Sequence, residues 1–457
     1  MKISYALART ISSCAKESFI KPPDKALYSA GRLSRALHMQ AKTVQSFDKV
    51  HQNLPTEQKI GALTDFWNLR FEENSLSLRA QGDILNKTVV VGVSGGVDSS
   101  VSALLLKNAG FKNVIGVFMH NWDPQDESGD QAACPLVEDA KHARQVCQQI
   151  GIPFFEASFV KQYWVEVFEP YIAMLEKGGT PNPDIFCNQK IKFQALREYV
   201  DSKFGSDALI ATGHYARLCR SEEASYPCLV KAKDSSKDQT YFLSGVDKRA
   251  LSRAMFPLGH IQKKQVRHVA AEFGLCTAKK KDSVGICFVG KRKFSDFIGN
   301  YIVDKPGIIV DIDNEQKKYG THNGLFRYTI GQGAKIAGLN EKLFVAGKRM
   351  ATNELLVCSG SNNPALFSGS CFIKLEDMFW VDENMRTKTK GPMLLDCRVR
   401  YRQTSVKCYL SFVTTLMGET GYKIEFEVPE KAVTPMQAAV FYDGEICLGG
   451  GLISYVE

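Results

Sequence analysis

Between Lys87 and Val93 the chain runs through an apolar, β-branched stretch, Thr88-Val89-Val90-Val91, and then breaks into small residues at Gly92 and Ser94-Gly95-Gly96. A continuous apolar run bounded by turn residues predicts a strand buried on both faces, here over 87–93. A helix is expected over 98–109, with Val101, Leu104 and Leu105 at helical spacing and a stop at Gly110. The alternation continues with a strand over 114–119, a polar acidic loop around Asp123 to Asp130, and a helix from Leu136 to Ile150. That helix presents Val137, Ala140, Ala143, Cys147 and Ile150 as its apolar positions. A strand over 154–159, an aromatic helix from Tyr163 to Glu176 and a strand over 208–212 follow. Strands separated by helices of this length predict an α/β domain with a parallel sheet covered on both faces. Ligands in such sheets bind beyond the strand C-termini, so the loops after Val93, Met119 and Thr212 are expected to meet there.

Past about residue 290 the periodicity shortens to alternating runs: Gly307 to Ile312, Cys397 to Arg402, Lys407 to Val413, Tyr422 to Val428 and Ala438 to Tyr442. Asp443-Gly444 between two such runs is a hairpin signal. The C-terminal part therefore reads as an all-β barrel or sandwich. Residues 48–86 are mixed, with a helical signal from Ile60 to Phe71 and no recognisable chemistry.

A length of 457 residues calls for two or three domains and a tail. No run reaches the roughly 18 apolar residues that cross a bilayer, so no membrane partner is expected. Residues 1–47 carry eight Lys/Arg against two Asp/Glu, +6 of the formal net charge of +9, leaving +3 for everything after. Rich in Ser, Ala and Arg, this leader reads as an organellar transit peptide, for a mitochondrion ahead of a plastid. Basic clusters at Lys279-Lys280-Lys281, at Lys291-Arg292-Lys293 and at Arg398, Arg400 and Arg402 are either phosphate contacts or solvated basic faces. The thirteen cysteines form no Cys-x-x-Cys pair and fit a reducing compartment, and no metal-ligand spacing is present.

Strand, small-residue loop and helix around Ser94-Gly95-Gly96-Val97-Asp98-Ser99-Ser100 form an anion cradle: glycines turn backbone N–H groups inward, hydroxyls add donors, and a helix N-terminus faces the loop. The spacing matches neither the Walker loop nor the dinucleotide fingerprint. It resembles the PP-loop of ATP pyrophosphatases, which cleave ATP between the α- and β-phosphates and adenylate a substrate oxygen. Three further stretches are too polar or turn-rich for core: Thr180-Pro181-Asn182-Pro183-Asp184-Ile185-Phe186-Cys187-Asn188, read as a rigid loop; Ala211 to Ala216 with Lys237-Asp238-Gln239; and Lys281 to Phe288 with Cys287. An adenylated oxygen prepares its carbon for a nucleophile, and a thiolate or persulfide is an effective one.

In this order SGGVDSS, FMHNW, TPNPDIFCNQKIKF, ATGHYA, KDQTYFL, KKDSVGICFVGKRKF, RVRYRQT and TPMQAAVFYDGEICLGGG resemble the tRNA-specific 2-thiouridylases, from about Lys87 to the C-terminus. The resemblance implies a PP-loop domain of the adenine nucleotide alpha hydrolase kind over 87–290, a small central domain over 291–362 and a C-terminal β-barrel over 363–457, after an extension over 1–86. It implies sulfur transfer to the wobble uridine of tRNA, with ATP and its Mg2+ as cofactors. A persulfide donor protein, a cysteine desulfurase or a relay, is the implied partner of a monomeric enzyme. Gly92, Val93, Ser94, Gly95, Gly96, Val97, Asp98, Ser99, Met119 and Gly213 then match nucleotide positions. Asn182, Pro183 and Asp184 match the positions that meet the target uridine, with Asp184 as acid/base. Cys187 matches the nucleophile and Cys287 the persulfide carrier, a pair that also forms a disulfide. His214, Lys237, Asp238, Gln239, Arg400, Tyr401 and Gln437 match tRNA contacts. The chain departs from the family pattern at His120, at Ala334-Lys335-Ile336 and at Met436, where Lys, a more basic run and Gly are usual. Two rivals share the loop: an amidating ligase, which adenylates for a nitrogen nucleophile, and a non-catalytic RNA-binding protein that kept the fold.

Overall fold

The structure, a computed structural model, describes residues 84–123, 135–219, 226–282, 293–336, 338–339, 341–382, 385 and 391–457. The expected leader, the helical signal at Ile60 to Phe71, the acidic loop beyond Asp123 and the Cys287 stretch beyond Asp282 lie outside these residues.

Strands β1 (Thr88–Gly92), β2 (Asn113–His120), β3 (Phe154–Ser158) and β4 (Leu209–Ala211) pair in parallel, as the α/β pattern predicts. Strands β5 (Ala216–Cys219) and β6 (Cys228–Lys231) leave this sheet, and the short β7 (Ala254–Met255) returns to close it in the order β3-β2-β1-β4-β7. Val89, Val90 and Val91 have no exposed surface. Val89 and Val91 face the core shared with helix α1 (Val97–Asn108), and Val90 faces the opposite core with Val167 and Leu196. This two-sided burial explains the unbroken apolar run.

Helix α2 (Pro135–Ile150) buries Ala143, Val146 and Cys147, whereas Val137, expected on the apolar face, is 44% exposed. The aromatic helix is broken into Val160–Tyr163, a wide i→i+5 segment over Trp164–Phe168, and Glu169–Glu176. The wider turn brings Trp164 and Phe168 onto Trp122, with ring centroids 5.7 and 4.9 Å away.

A small central sheet follows: β8 (Gly307–Asp311), β9 (Lys318–His322), β10 (Leu343–Arg349) and β11 (Glu354–Ser359), in the order β10-β11-β8-β9 around Ile309, Val345, Leu355 and Val357. The C-terminal strands are β12 (Phe367–Lys374), β13 (Met378–Trp380), β14 (Met393–Arg398), β15 (Val406–Thr414), β16 (Thr420–Lys431), β17 (Ala438–Asp443), β18 (Ile446–Leu452) and β19 (Tyr455–Val456). They form the β-barrel domain, which the β5–β6 hairpin joins through β18, with Ile446 opposite Val230 and Cys447 opposite Leu229. The Asp443-Gly444 signal is a hairpin turn, with Asp443 paired to Ile446 and Gly444 at φ +59°. The strand expected over Cys397 to Arg402 instead ends at Arg398, because the Gln403 side chain accepts the Val399 N–H at 2.9 Å and folds the next residues into a turn.

Candidate active site

The sheet order reverses beside β1: the chain fills β2 and β3 on one side, then β4 and β7 on the other. The crevice beyond the C-terminal ends of β1 and β4 is where such sheets hold ligands. The loop between β1 and α1 is shaped for close approach. Gly95 adopts φ +69°, and a Cβ there would sit 2.1 Å from the Asp139 carbonyl oxygen of α2. Ser94 N–H donates to Ser99 Oγ at 3.0 Å, and Ser99 Oγ donates to the Gly96 carbonyl at 3.1 Å. Gly213, just past β4, lies so close that a Cβ would be 2.7 Å from the Ser99 nitrogen, and Met119 at the end of β2 reaches the Gly92 position at 3.4 Å. The loops after Val93 and Thr212 meet as expected, Met119 of β2 packs on β1 beside them, and the loop beyond Asp123 lies outside the described residues.

Asp98, at the start of α1, receives Lys263 Nζ at 2.7 Å on each carboxylate oxygen and the Tyr215 hydroxyl at 2.8 Å. Lys263 also lies 2.9 Å from Asp282 Oδ1, and Lys237 lies 2.8 Å from Asp282 Oδ2, with Arg267 on the same carboxylate. Burial alone would raise the Asp282 carboxyl, but hydrogen bonds from Lys237 and Lys263 outweigh it and hold the group well below the usual range. Lys280 donates to the Gly95 carbonyl at 2.9 Å and pairs with Asp139. Lys263 and Arg267 did not emerge from the sequence as site residues, whereas Lys280 belongs to the basic run Lys279-Lys280-Lys281. Lys263 opens the helix Lys263–Glu272 after β7, and a two-residue strand is too short for periodicity to reveal that loop.

The Asn182 stretch is a capped helix start rather than a loop. Asn182 Oδ1 accepts the Asp184 N–H at 3.0 Å and Pro183 occupies the first turn of the helix Pro183–Phe186, the pairing that favours helix initiation. Cys187, 4% exposed, begins a wide-turned segment, Cys187–Ala195. Asn188 donates to the Asp184 carbonyl at 2.9 Å and to that of Phe242 at 3.3 Å. Burial raises the Asp184 carboxyl, opposed by the charge of Lys192. The same burial and Lys192 lower His214 well below its usual value. Phe193, on the segment that Cys187 begins, has its ring centroid 6.2 Å from that of His214, the neighbour of Gly213, so this segment reaches the loop after β4.

Among the residues expected at RNA, several have internal partners. His214 is 7% exposed, with Nδ1 2.8 Å from Thr212 Oγ1. Asp238 is 3% exposed and accepts from Ala232 N–H at 3.0 Å, Thr240 Oγ1 at 2.9 Å and Arg398 Nη1 at 2.8 Å. Gln239 Oε1 accepts the Tyr215 N–H at 2.9 Å. Arg400 donates to the Lys431 carbonyl at 2.7 Å and to Glu430 at 2.9 Å. Tyr401 packs on Phe242, ring centroids 4.2 Å apart, beside a cleft of about 260 Å³ lined by Ser236, Arg398, Tyr401 and Arg402. Gln437 Oε1 is buried and finds no hydrogen-bond donor among the described residues.

A parallel α/β sheet whose first loop is shaped to receive an anion at a helix N-terminus, followed by a small β domain and a β-barrel, defines a PP-loop enzyme of three domains. Residues 87–291 match the family model described as the tRNA methyl transferase HUP domain, residues 295–359 the PRC-barrel domain of that family, and residues 371–453 the aminomethyltransferase beta-barrel domain. The chain is 46% identical over 370 residues to tRNA-specific 2-thiouridylase MnmA 2 of Geobacillus kaustophilus, covering 80% of this chain and 95% of that protein. It is 46% identical over 372 residues to the MnmA of Halalkalibacterium halodurans, with the same coverage, and 44% identical over 384 residues to that of Pseudomonas fluorescens, covering 83% and 97%. The chain belongs to the tRNA-specific 2-thiouridylase family. Solved structures are less alike: the NH3-dependent NAD synthetase of Campylobacter jejuni matches at 16% identity and a TM-score of 0.28, over 51% of this chain and 80% of that one.

Proposed function

We propose that the protein is a tRNA-uridine 2-sulfurtransferase, which uses ATP to adenylate the C2 oxygen of the wobble uridine and replaces that oxygen with sulfur. The supporting observation is that the phosphate-type loop with Asp98 meets Gly213, whose neighbour His214 lies against Phe193 of the segment that Cys187 begins. ATP phosphates would lie against Ser94 to Ser99, with Met119 and Gly213 beside the nucleotide. The carboxylates fit a magnesium ion bound mainly through phosphates: Asp98 and Asp282 share one ammonium, and among the described residues no cluster of three or more ligand side chains forms a protein cage. Such an ion would neutralise phosphate charge. The uridine must leave its stack to enter, where Asn182, Pro183 and Asp184 would meet it. Asp184, with its raised carboxyl, suits proton transfer.

In the sulfur step the terminal sulfur of a Cys287 persulfide becomes the thiocarbonyl sulfur and AMP leaves with the original oxygen. Either the persulfide attacks C2 and Cys187 then cleaves the S–S bond, or Cys187 first releases hydrosulfide that attacks C2. Both routes consume one persulfide sulfur and end in a Cys187–Cys287 disulfide, which a thiol reductant resets. Reloading Cys287 calls for a desulfurase or relay protein, and the enzyme acts as a monomer in a mitochondrion. A fusion of residues 1–47 to a reporter should enter that organelle, and a diffuse cytosolic reporter would count against this localisation.

Pyrophosphate released from ATP only when tRNA is present, with 2-thiouridine found by mass spectrometry of the tRNA nucleosides, is the expected result. An amidating ligase would release pyrophosphate without tRNA, and a non-catalytic RNA-binding protein would release none.

A further inference from the structure

Two other parts of the chain converge on Gly178-Gly179-Thr180, directly ahead of the Asn182 to Cys187 turn. From the barrel, the Pro435 carbonyl accepts the Thr180 N–H at 3.1 Å. Met436, at φ +65°, lies against Gly179, where a Cβ would sit 2.4 Å from its sulfur. From the central domain, Lys348 of β10 donates through Nζ to the Gly178 carbonyl at 2.8 Å, and Met350 covers Gly178 as closely as Met436 covers Gly179. Gly178 itself takes φ +81°, a backbone conformation that disfavours a side chain there.

Lys348 is an unusual group for such a seam. Burial draws its ammonium down to about 8, and among the described residues no carboxylate pairs with it. An ammonium drawn partly out of water without a counter-charge is costly, and a methionine would fill the same space without that cost. What the ammonium supplies is a charge-assisted hydrogen bond to one backbone carbonyl, four residues before Asn182.

We propose that Lys348 is a positioning residue: by holding the Gly178 carbonyl it sets the angle at which the chain enters the Asn182 to Cys187 turn. Seating of the central domain on the catalytic domain is thereby a condition for presenting Asp184 and Cys187 correctly. The inference rests on the function proposed above, in which that turn meets the uridine.

The test compares Lys348→Met, which keeps the stem and loses the donor, with Lys348→Arg, which keeps charge and donor. With Lys348→Met, kcat for tRNA-dependent pyrophosphate release should fall about 10- to 100-fold, the range expected of a displaced catalytic group. KM for ATP and tRNA should stay within about twofold, while amide exchange across residues 178–188 rises; Lys348→Arg should restore most of kcat. Lys348→Gln, whose amide stops short of the carbonyl, carries the same expectation should the methionine variant not fold. Wild-type kcat in the Met or Gln variant would overturn the proposal. So would a loss confined to KM for tRNA, which would make Lys348 an RNA phosphate contact instead. Amide exchange reads the clamp without any reaction, so a wild-type protein inactive on tRNA would sink the function while the exchange result still judged Lys348.

Discussion

Cys187 and Cys147 carry the same thiol and opposite expectations. Cys147 lies wholly buried on α2 against Gly116, and burial pushes its thiol up to about 12, so it holds no thiolate at neutral pH. Cys187, itself 4% exposed, ends the capped helix Pro183–Phe186 that carries Asp184. Cys187→Ser and Cys287→Ser should each abolish thiolation while tRNA-dependent pyrophosphate release persists, because adenylation needs neither sulfur; Cys147→Ser should thiolate normally. Thiolation surviving in either of the first two variants would exclude the paired-cysteine route. His214 yields a pH prediction of definite sign. Burial keeps it neutral in the folded protein, whereas the unfolded chain takes up a proton below about pH 6.5. Its contribution to stability is therefore complete above that pH and is lost as pH falls. His214→Asn should flatten the acid limb of a plot of melting temperature against pH between about 6.5 and 5; an unchanged slope would mean that the ring is protonated in the fold.

At the scale of elements, the β1 loop depends on a glycine that nothing else can replace. Gly95→Ala meets both the cost of a positive φ, about 1 kcal/mol, and a collision with the Asp139 carbonyl. A loop displaced by about 1 Å should lose pyrophosphate release by about 100-fold, with the rest of the fold intact; near-normal turnover would show that the loop need not approach α2. This strand, loop and helix were legible because each carries its own local signal: a β-branched run, paired glycines and an apolar stripe at Val101, Leu104 and Leu105. Asn182-Pro183 carried an equally local signal, an N-cap followed by proline, but the two prolines of the stretch read more simply as a loop. The i→i+5 segments Trp164–Phe168 and Cys187–Ala195 had none, since a widened turn is dictated by what the aromatic rings and the thiol pack against.

Over the whole molecule, what sequence could not reveal is where separate stretches share one structure. The β5–β6 hairpin lies within the catalytic stretch yet extends the barrel sheet, because its apolar residues Ala216 and Leu229 complete a core with Ala438, Val440 and Cys447. The same seam holds Arg398, whose place in a run of arginines suggested a phosphate contact, and Asp238, whose place in Lys237-Asp238-Gln239 suggested RNA. Their side chains are 13% and 1% exposed and pair at 2.8 Å, so each serves first as the other's counter-charge. Removing one partner of a buried pair strands the other and costs about 3–5 kcal/mol, whereas removing both costs much less. Arg398→Met should therefore lower the urea midpoint strongly, and Arg398→Met with Asp238→Asn should regain part of the loss. If instead Arg398→Met leaves the midpoint in place and weakens tRNA binding alone, with a shallower salt dependence, the arginine faces phosphate in the working enzyme and the pair exists only without RNA. The two outcomes are separable because stability is read without tRNA and binding with it.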